Sequence, residues 1–212
     1  MIRYDKIKLD FDGKTIFNDF SLEIAKGEKI VLLGKSGLGK SSLFGLVLGF
    51  VQPQSGRIFF DGAPVDEDTV WNVRQKVSLV DQDVSIGDFK VSNWFAFVAG
   101  IKANHSSNFG EERVNELMDL FELGRDLIDK DITELSGGER QRVSIIVSAL
   151  LERDVFLLDE VTSALDKNLK KKTADFFIER KEWTVVSISH DPVWLDSPNV
   201  KVFDLEKRSW KQ

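Results

Sequence analysis

The chain has no cysteine among its 212 residues. That excludes a disulfide framework and cysteine-ligated metals, and it fits a reducing compartment. Long hydrophobic runs are also missing: a membrane-spanning helix takes about 18 apolar residues in a row, and the stretches around residues 30–33 and 145–151 fall well short, so direct membrane insertion is not expected. The opening residues Met1-Ile2-Arg3-Tyr4-Asp5-Lys6 lack the apolar core of a signal peptide and read as alternating strand, which makes a cytoplasmic location the default. Positive charge is not in excess, since 29 Lys and Arg against 35 Asp and Glu leave a net −6 and a pI near 5.1. A general nucleic-acid partner is therefore not expected, because such binding needs a basic stripe. Repeats, low-complexity tracts and long charge blocks are absent too, so the whole chain should fold.

What is present suits one α/β domain over residues 1–212, a length that hides about 70% of the unfolded surface. Residues 2–24 alternate apolar and polar around Asp12-Gly13, which predicts a pair of short antiparallel strands. Residues 29–33 are instead a short apolar run ending in glycine, the mark of a buried parallel strand that feeds a loop and a helix over 40–49. Further strands are expected at 57–60, 77–80, 155–158, 184–189 and 200–205, with helices after residue 136 and over 168–180. Between 83 and 135 strand signals vanish, while Val114, Leu117, Met118 and Phe121 recur at helical spacing, which predicts a helical insertion. Strands alternating with helices imply a parallel sheet covered on both faces, with function at the carboxyl ends of its strands.

The chemistry-bearing residues follow those ends. Gly34-Lys35-Ser36-Gly37-Leu38-Gly39-Lys40-Ser41, continued by Ser42, matches the phosphate-loop pattern with a strand before it and a helix after it. Glycines let the backbone N–H groups curl around phosphates, Lys40 brings a point charge, and Ser41 offers an oxygen to Mg²⁺. Asp159 and Glu160 end the 155–158 strand; if that strand neighbours the phosphate-loop strand, Asp159 holds the metal and Glu160 polarises the attacking water. Gln82 follows 77–80 and either touches metal and water or is a surface amide. His190 follows 184–189 and either reaches the γ-phosphate or has no role, with His105, in the polar run Asn104 to Asn108, as the solvated control. Phe11 either stacks on adenine or belongs to the core or a sheet face. Ser136 with Gly137 and Gly138 opens a helix and makes a second anion site on the same chain.

Taken in order, these residues resemble the nucleotide-binding subunit of the ATP-binding cassette family, a P-loop NTPase fold with a RecA-like parallel core, an N-terminal antiparallel β subdomain and an α-helical insertion. The resemblance covers essentially the whole chain. It divides it into an ATPase core, 1–82 and 136–212, and a helical subdomain, 83–135. It also implies the roles: Phe11 for the adenine-stacking aromatic, residues 34–42 for the phosphate loop, Gln82 for the metal- and water-contacting glutamine, Asp159 for the metal and Glu160 for the catalytic glutamate. Leu135-Ser136-Gly137-Gly138-Glu139-Arg140-Gln141-Arg142 matches the signature, Ser163-Ala164-Leu165-Asp166 the D-loop, and His190 the switch histidine.

The resemblance further implies two chains packed head to tail, so that Ser136, Gly137, Gly138, Glu139 and Asp166 serve the ATP on the partner's phosphate loop. That partner is a second copy or a similar subunit. Hydrolysis then drives integral membrane subunits, which dock on residues 83–100, where Phe89, Trp94, Phe95 and Phe97 either face the partner or form the insertion's core. The chain is accordingly expected on the cytoplasmic face of the membrane. The competing class is a soluble cassette ATPase that acts on a ribosome, DNA or a metal-cluster scaffold. Leu38, Val161 and Phe11 depart from the commonest family pattern without removing a functional atom.

Overall fold

The computed structural model describes residues 1–82, 87, 89–105 and 107–211. Strands β1 (Ile2–Phe11) and β2 (Lys14–Ile24) form a hairpin whose turn residues Asp12 and Gly13 both take positive φ, 48° and 76°. Such a turn matches the natural twist of paired strands. After β3 (Lys29–Leu33) and α1 (Lys40–Val47), the chain adds β4 (Ser55–Phe60) and β5 (Ala63–Pro64) to the hairpin, giving an antiparallel sheet in the order β2-β1-β4-β5. The seven-residue α2 (Val70–Lys76) leads straight into β6 (Val77–Val80).

Between β6 and α5 (Gly137–Leu150), the described residues form α3 (Val91–Gly100), α4 (Glu111–Leu120) and short 3-10 turns, with one bridge between Lys90 and Asp131. The remainder alternates: β7 (Val155–Asp159), α6 (Lys167–Ile178), β8 (Thr184–Ile188), the single turn α7 (Pro192–Leu195), β9 (Lys201–Asp204) and β10 (Ser209–Trp210). The second sheet runs β10-β9-β3-β8-β7-β6, parallel apart from β10.

Strand periodicity places this sheet between two cores. Val31, Phe156 and Leu158 point to the helical side with α4, α5 and α6, whereas Ile30, Leu32, Val155 and Leu157 pack with α1 and the antiparallel sheet. Helix α5 is buried on more than one face: Ile145, Ser148, Ala149 and Gln141 are buried as well as Val143, Ile146, Val147 and Leu150. A helix held between a sheet and other helices has no solvent face along most of its length.

The base of β3 is fixed by an unusual donor. Lys29 is buried, and its ammonium donates to the carbonyls of Gly27 at 3.0 Å, Arg180 at 2.9 Å and Trp183. Burial pulls its pKa down, and the three carbonyls answer the charge where water does not reach.

Candidate active site

The loop leaving β3 lies at the centre of the parallel sheet, between β8 and β9. Its geometry requires glycine at Gly39, which takes φ +84° as it opens α1; a Cβ there would sit 2.3 Å from Ile16 Cγ2 and 2.9 Å from Phe17 Cζ. No side chain caps the start of α1, so its first backbone N–H groups keep their capacity for an anion. Lys40 Nζ donates to the carbonyls of Gly34 at 2.6 Å and Lys35 at 3.0 Å, which holds the ammonium over the loop. Lys35 is itself tied to Glu206 after β9, through its N–H at 3.3 Å and its ammonium at 3.4 Å. No local motif pointed to Glu206.

The two acids reach this loop by a route that differs from the one expected. β7 does not neighbour β3, because β8 runs between them. The loop and the start of α1 nevertheless span that gap, and Ser41 Oγ donates to Asp159 Oδ2 at 2.6 Å. Asp159 is 6% exposed, and burial raises its carboxyl above the usual range even though the Ser41 hydrogen bond opposes the shift. Glu160 is raised too, chiefly by burial and also by the charges of Asp159 and Asp191, with His190 and Lys40 acting the other way. Its backbone takes φ +49°, a left-handed conformation uncommon outside glycine, and its N–H donates to Ile188 O at 2.9 Å. Strain of this kind at a strand end aims a side chain.

A cleft of about 610 Å³ gathers Ser36, Gly37, Gly39, Lys40, Ser41, Ser42, Gln82, Asp159, Glu160 and His190. Phe11 and Ile16 line the same cleft, and Phe11 is 64% exposed, which removes it from the core. Ile16, Ser163 and Ile188 are wall residues that carried no site signal in the sequence beyond the D-loop match of Ser163.

The signature lies apart from that cleft, since Ser136, Gly137, Gly138 and Glu139 are not among its lining residues. Ser136 caps α5 in a reciprocal box: its Oγ accepts from Glu139 N at 3.3 Å, while Glu139 Oε2 accepts from Ser136 N at 2.8 Å and Ser136 Oγ at 2.7 Å. Those hydrogen bonds hold the Glu139 carboxyl below the ordinary glutamate range. Gly138 presses on the loop after β7, where a Cβ would lie 2.9 Å from Ala164 O. Asp166 is occupied in capping α6, accepting from Asn168 N at 2.9 Å and Leu169 N at 3.1 Å, and it does not line the cleft either.

Of residues 83–100, Asp83, Val84, Ser85, Ile86 and Asp88 lie outside the described residues. Phe95 is buried, whereas Phe89 and Phe97 are exposed and stack at 6.4 Å, with Trp94 stacked on Phe97 at 5.8 Å. A second exposed aromatic group was not foreseen: Phe50 and Trp71 flank the Arg74 guanidinium at 4.7 and 4.9 Å. His105 is exposed, as expected of the control.

Comparison with known proteins gives the same direction. The family model described as ABC transporter matches residues 17–163. The chain is 35% identical over 199 residues to the sulfate/thiosulfate import ATP-binding protein CysA 1 of Agrobacterium fabrum, covering 90% of this chain and 56% of that protein. It is 32% identical over 197 residues to the ATP-dependent lipid A-core flippase of Haemophilus ducreyi, covering 89% of this chain and 34% of the flippase. The chain thus spans a third to about three-fifths of the length of these and the other first curated relatives. Among solved structures, cbiO1 from Clostridium perfringens, part of the ABC transporter complex cbiONQ, superposes with a TM-score of 0.74 at 27% identity, covering 95% of this chain and 83% of that one.

Proposed function

The chain belongs to the ABC transporter family, and on that premise we propose that it hydrolyses Mg-ATP at an interface with a second such chain and drives separate membrane subunits. The observation that carries the hydrolytic part is the Ser41–Asp159 hydrogen bond at 2.6 Å, which draws the phosphate loop and the acidic strand end into one cleft with Glu160, Gln82 and His190.

Chemistry follows from these positions. The loop N–H groups and Lys40 bind the β- and γ-phosphates, and Phe11 stacks on the adenine. Glu160, aimed into the cleft by its left-handed backbone, accepts a proton from water as the oxygen bonds the γ-phosphorus and the bond to the β,γ-bridging oxygen breaks. His190 donates to a γ-phosphate oxygen, and Gln82 orients the water. The hard oxygens of Ser41 and Asp159, in the cleft that Gln82 also lines, suit Mg²⁺ and would hold it there. Mg²⁺, when bound there, neutralises phosphate charge.

Ser136, Gly137 and Gly138, being outside this cleft, serve the γ-phosphate bound by the second chain, with Glu139 and Asp166 at the same interface. Two exposed aromatic groups, Phe89 with Phe97 and Phe50 with Trp71, support docking of protein partners. Among the described residues no helix is long and apolar enough to cross a membrane. The membrane subunits and a place on their cytoplasmic face are part of the proposal and rest on the family and on the ATP-binding role of the import relative. The core comprises residues 1–82 and 136–212, and the helical subdomain residues 83–135. The import and flippase roles of the relatives support transport over an action on ribosomes, DNA or metal-cluster scaffolds.

Two measurements test the reading. The purified chain should release phosphate from Mg-ATP, and Lys40→Ala should abolish release together with nucleotide binding; unchanged turnover in that variant would sink the hydrolytic assignment. Tagged chain recovered from detergent-solubilised membranes should bring an integral membrane protein with it, and consistent recovery without one removes the transport role.

A further inference from the structure

Asp191, the residue after His190, is held from several directions at once. Its Oδ2 pairs with Lys170 Nζ at 2.7 Å and accepts a longer hydrogen bond from Thr162 Oγ1 at 3.4 Å. Its Oδ1 caps α7 by accepting from Val193 N at 3.4 Å, and its own N–H donates to Ser189 Oγ at 3.1 Å. Lys170 stands on α6 four residues after the Asp166 cap, and its N–H donates to Asp166 O at 2.8 Å. Thr162 is buried in the loop that leaves Glu160.

One carboxylate therefore joins three segments. The loop after β8 carries His190, the loop after β7 carries Glu160 and Ser163, and α6 begins where that second loop ends. Capping of α7 needs only Oδ1, so the lysine pair on Oδ2 does something else. At 28% and 12% exposure the pair is shielded, and a shielded, hydrogen-bonded pair holds geometry better than two mobile surface charges. The loop it fixes is also the one Gly138 presses against at Ala164, so the bracket stands between the cleft and the signature.

We propose that Asp191 is a positioning residue for ATP hydrolysis, and that the Lys170–Asp191–Thr162 bracket fixes His190 relative to Glu160; this rests on the hydrolytic reading above. The bracket touches no substrate. It sets the separation of two side chains that approach the γ-phosphate from different loops. Losing it lets the His190 loop drift, which slows the chemical step and leaves nucleotide binding to the phosphate loop unaffected. A misplacement of about 1 Å is enough to cost up to about a hundredfold in rate.

Asp191→Asn retains a good helix cap and removes the charge, and Lys170→Gln removes the other half of the pair. Both should lower kcat about tenfold or more with KM for Mg-ATP within about twofold, and Lys170→Arg should restore most of the rate. Since the chain has only two histidines, imidazole NMR reads position without turnover. The His190 signals should shift in Asp191→Asn and Lys170→Gln while those of exposed His105 stay in place. Unmoved His190 signals in both variants overturn the proposal. So does a Lys170→Arg variant as slow as Lys170→Gln, or a loss expressed in KM alone. If His190 shifts as expected but the unaltered chain never turns over ATP, the bracket stands and the hydrolytic reading fails.

Discussion

Glu160 combines two costs at one position, a left-handed backbone at φ +49° and a carboxyl whose ionisation is opposed by burial and by Asp159. Both make sense for a base that has to be aimed and has to hold a proton more readily than a surface glutamate. A carboxyl whose folded pKa lies above its unfolded value binds more protons folded than unfolded. Stability is then lost as pH rises from the unfolded value through the folded one, and the cost is present at pH 7, above the unfolded value. Replacing Glu160 by Gln should therefore raise the melting temperature at pH 7 while lowering hydrolysis by about 10²- to 10⁴-fold, with ATP affinity retained. Calorimetry and phosphate release check the two halves separately. In the unaltered chain the acid limb of kcat should have its midpoint above the ordinary glutamate range; a midpoint within that range would leave the raised Glu160 carboxyl without a catalytic role.

The phosphate loop works as an element because β3, the loop and α1 are locked together from below. Gly39 is where that lock is tightest, with φ +84° and Ile16 and Phe17 of β2 filling the space a side chain would need. Gly39→Ala should cost about 1–3 kcal/mol of stability, from both the backbone and the clash, and should abolish ATP binding by pushing the loop off β2. Denaturant midpoints and nucleotide titration measure the two effects. Gly37, also at positive φ, has open space where its Cβ would be, so Gly37→Ala should cost only the backbone term. Equal losses at the two positions would count against the packing account.

At the scale of the molecule, two helix starts proposed to bind anions sit on one chain, and only one lines the cleft with Glu160. In the proposed head-to-tail pair each cleft is completed by the other chain's Ser136. Lys40→Ala chains should be inactive because no loop binds ATP, and Ser136→Ala chains because neither cleft is completed. Mixed together, they should recover activity, since a heterodimer contains one intact loop facing one intact signature. Mixtures no more active than either variant alone would place the whole active site within a single chain. Removing Ser136 also breaks the box with Glu139, worth about 1 kcal/mol to α5, so the mixture must be compared at matched folded fractions.

Local chemistry determined much of this protein. β3 and β6 fall on the residues expected, because an apolar run of four or five residues is too short for a helix and suits a buried parallel strand. The phosphate loop, the acids of β7, Gln82 and His190 were visible because each is a residue type at a strand end. Helix α2 escaped notice, since seven residues with only Val70 and Val73 buried leave too little periodicity to read. Other facts belonged to tertiary structure alone. β8 separates β3 from β7, and no local pattern encodes which parallel strands pair across long connections. The Ser41–Asp159 hydrogen bond spans 118 residues, Lys35–Glu206 spans 171, and the Lys170–Asp191 pair joins α6 to the loop after β8 through a lysine that reads in sequence as one more solvated charge on α6. Which residues do chemistry follows from their type and local context, whereas which of them meet depends on long-range packing that only the folded chain provides.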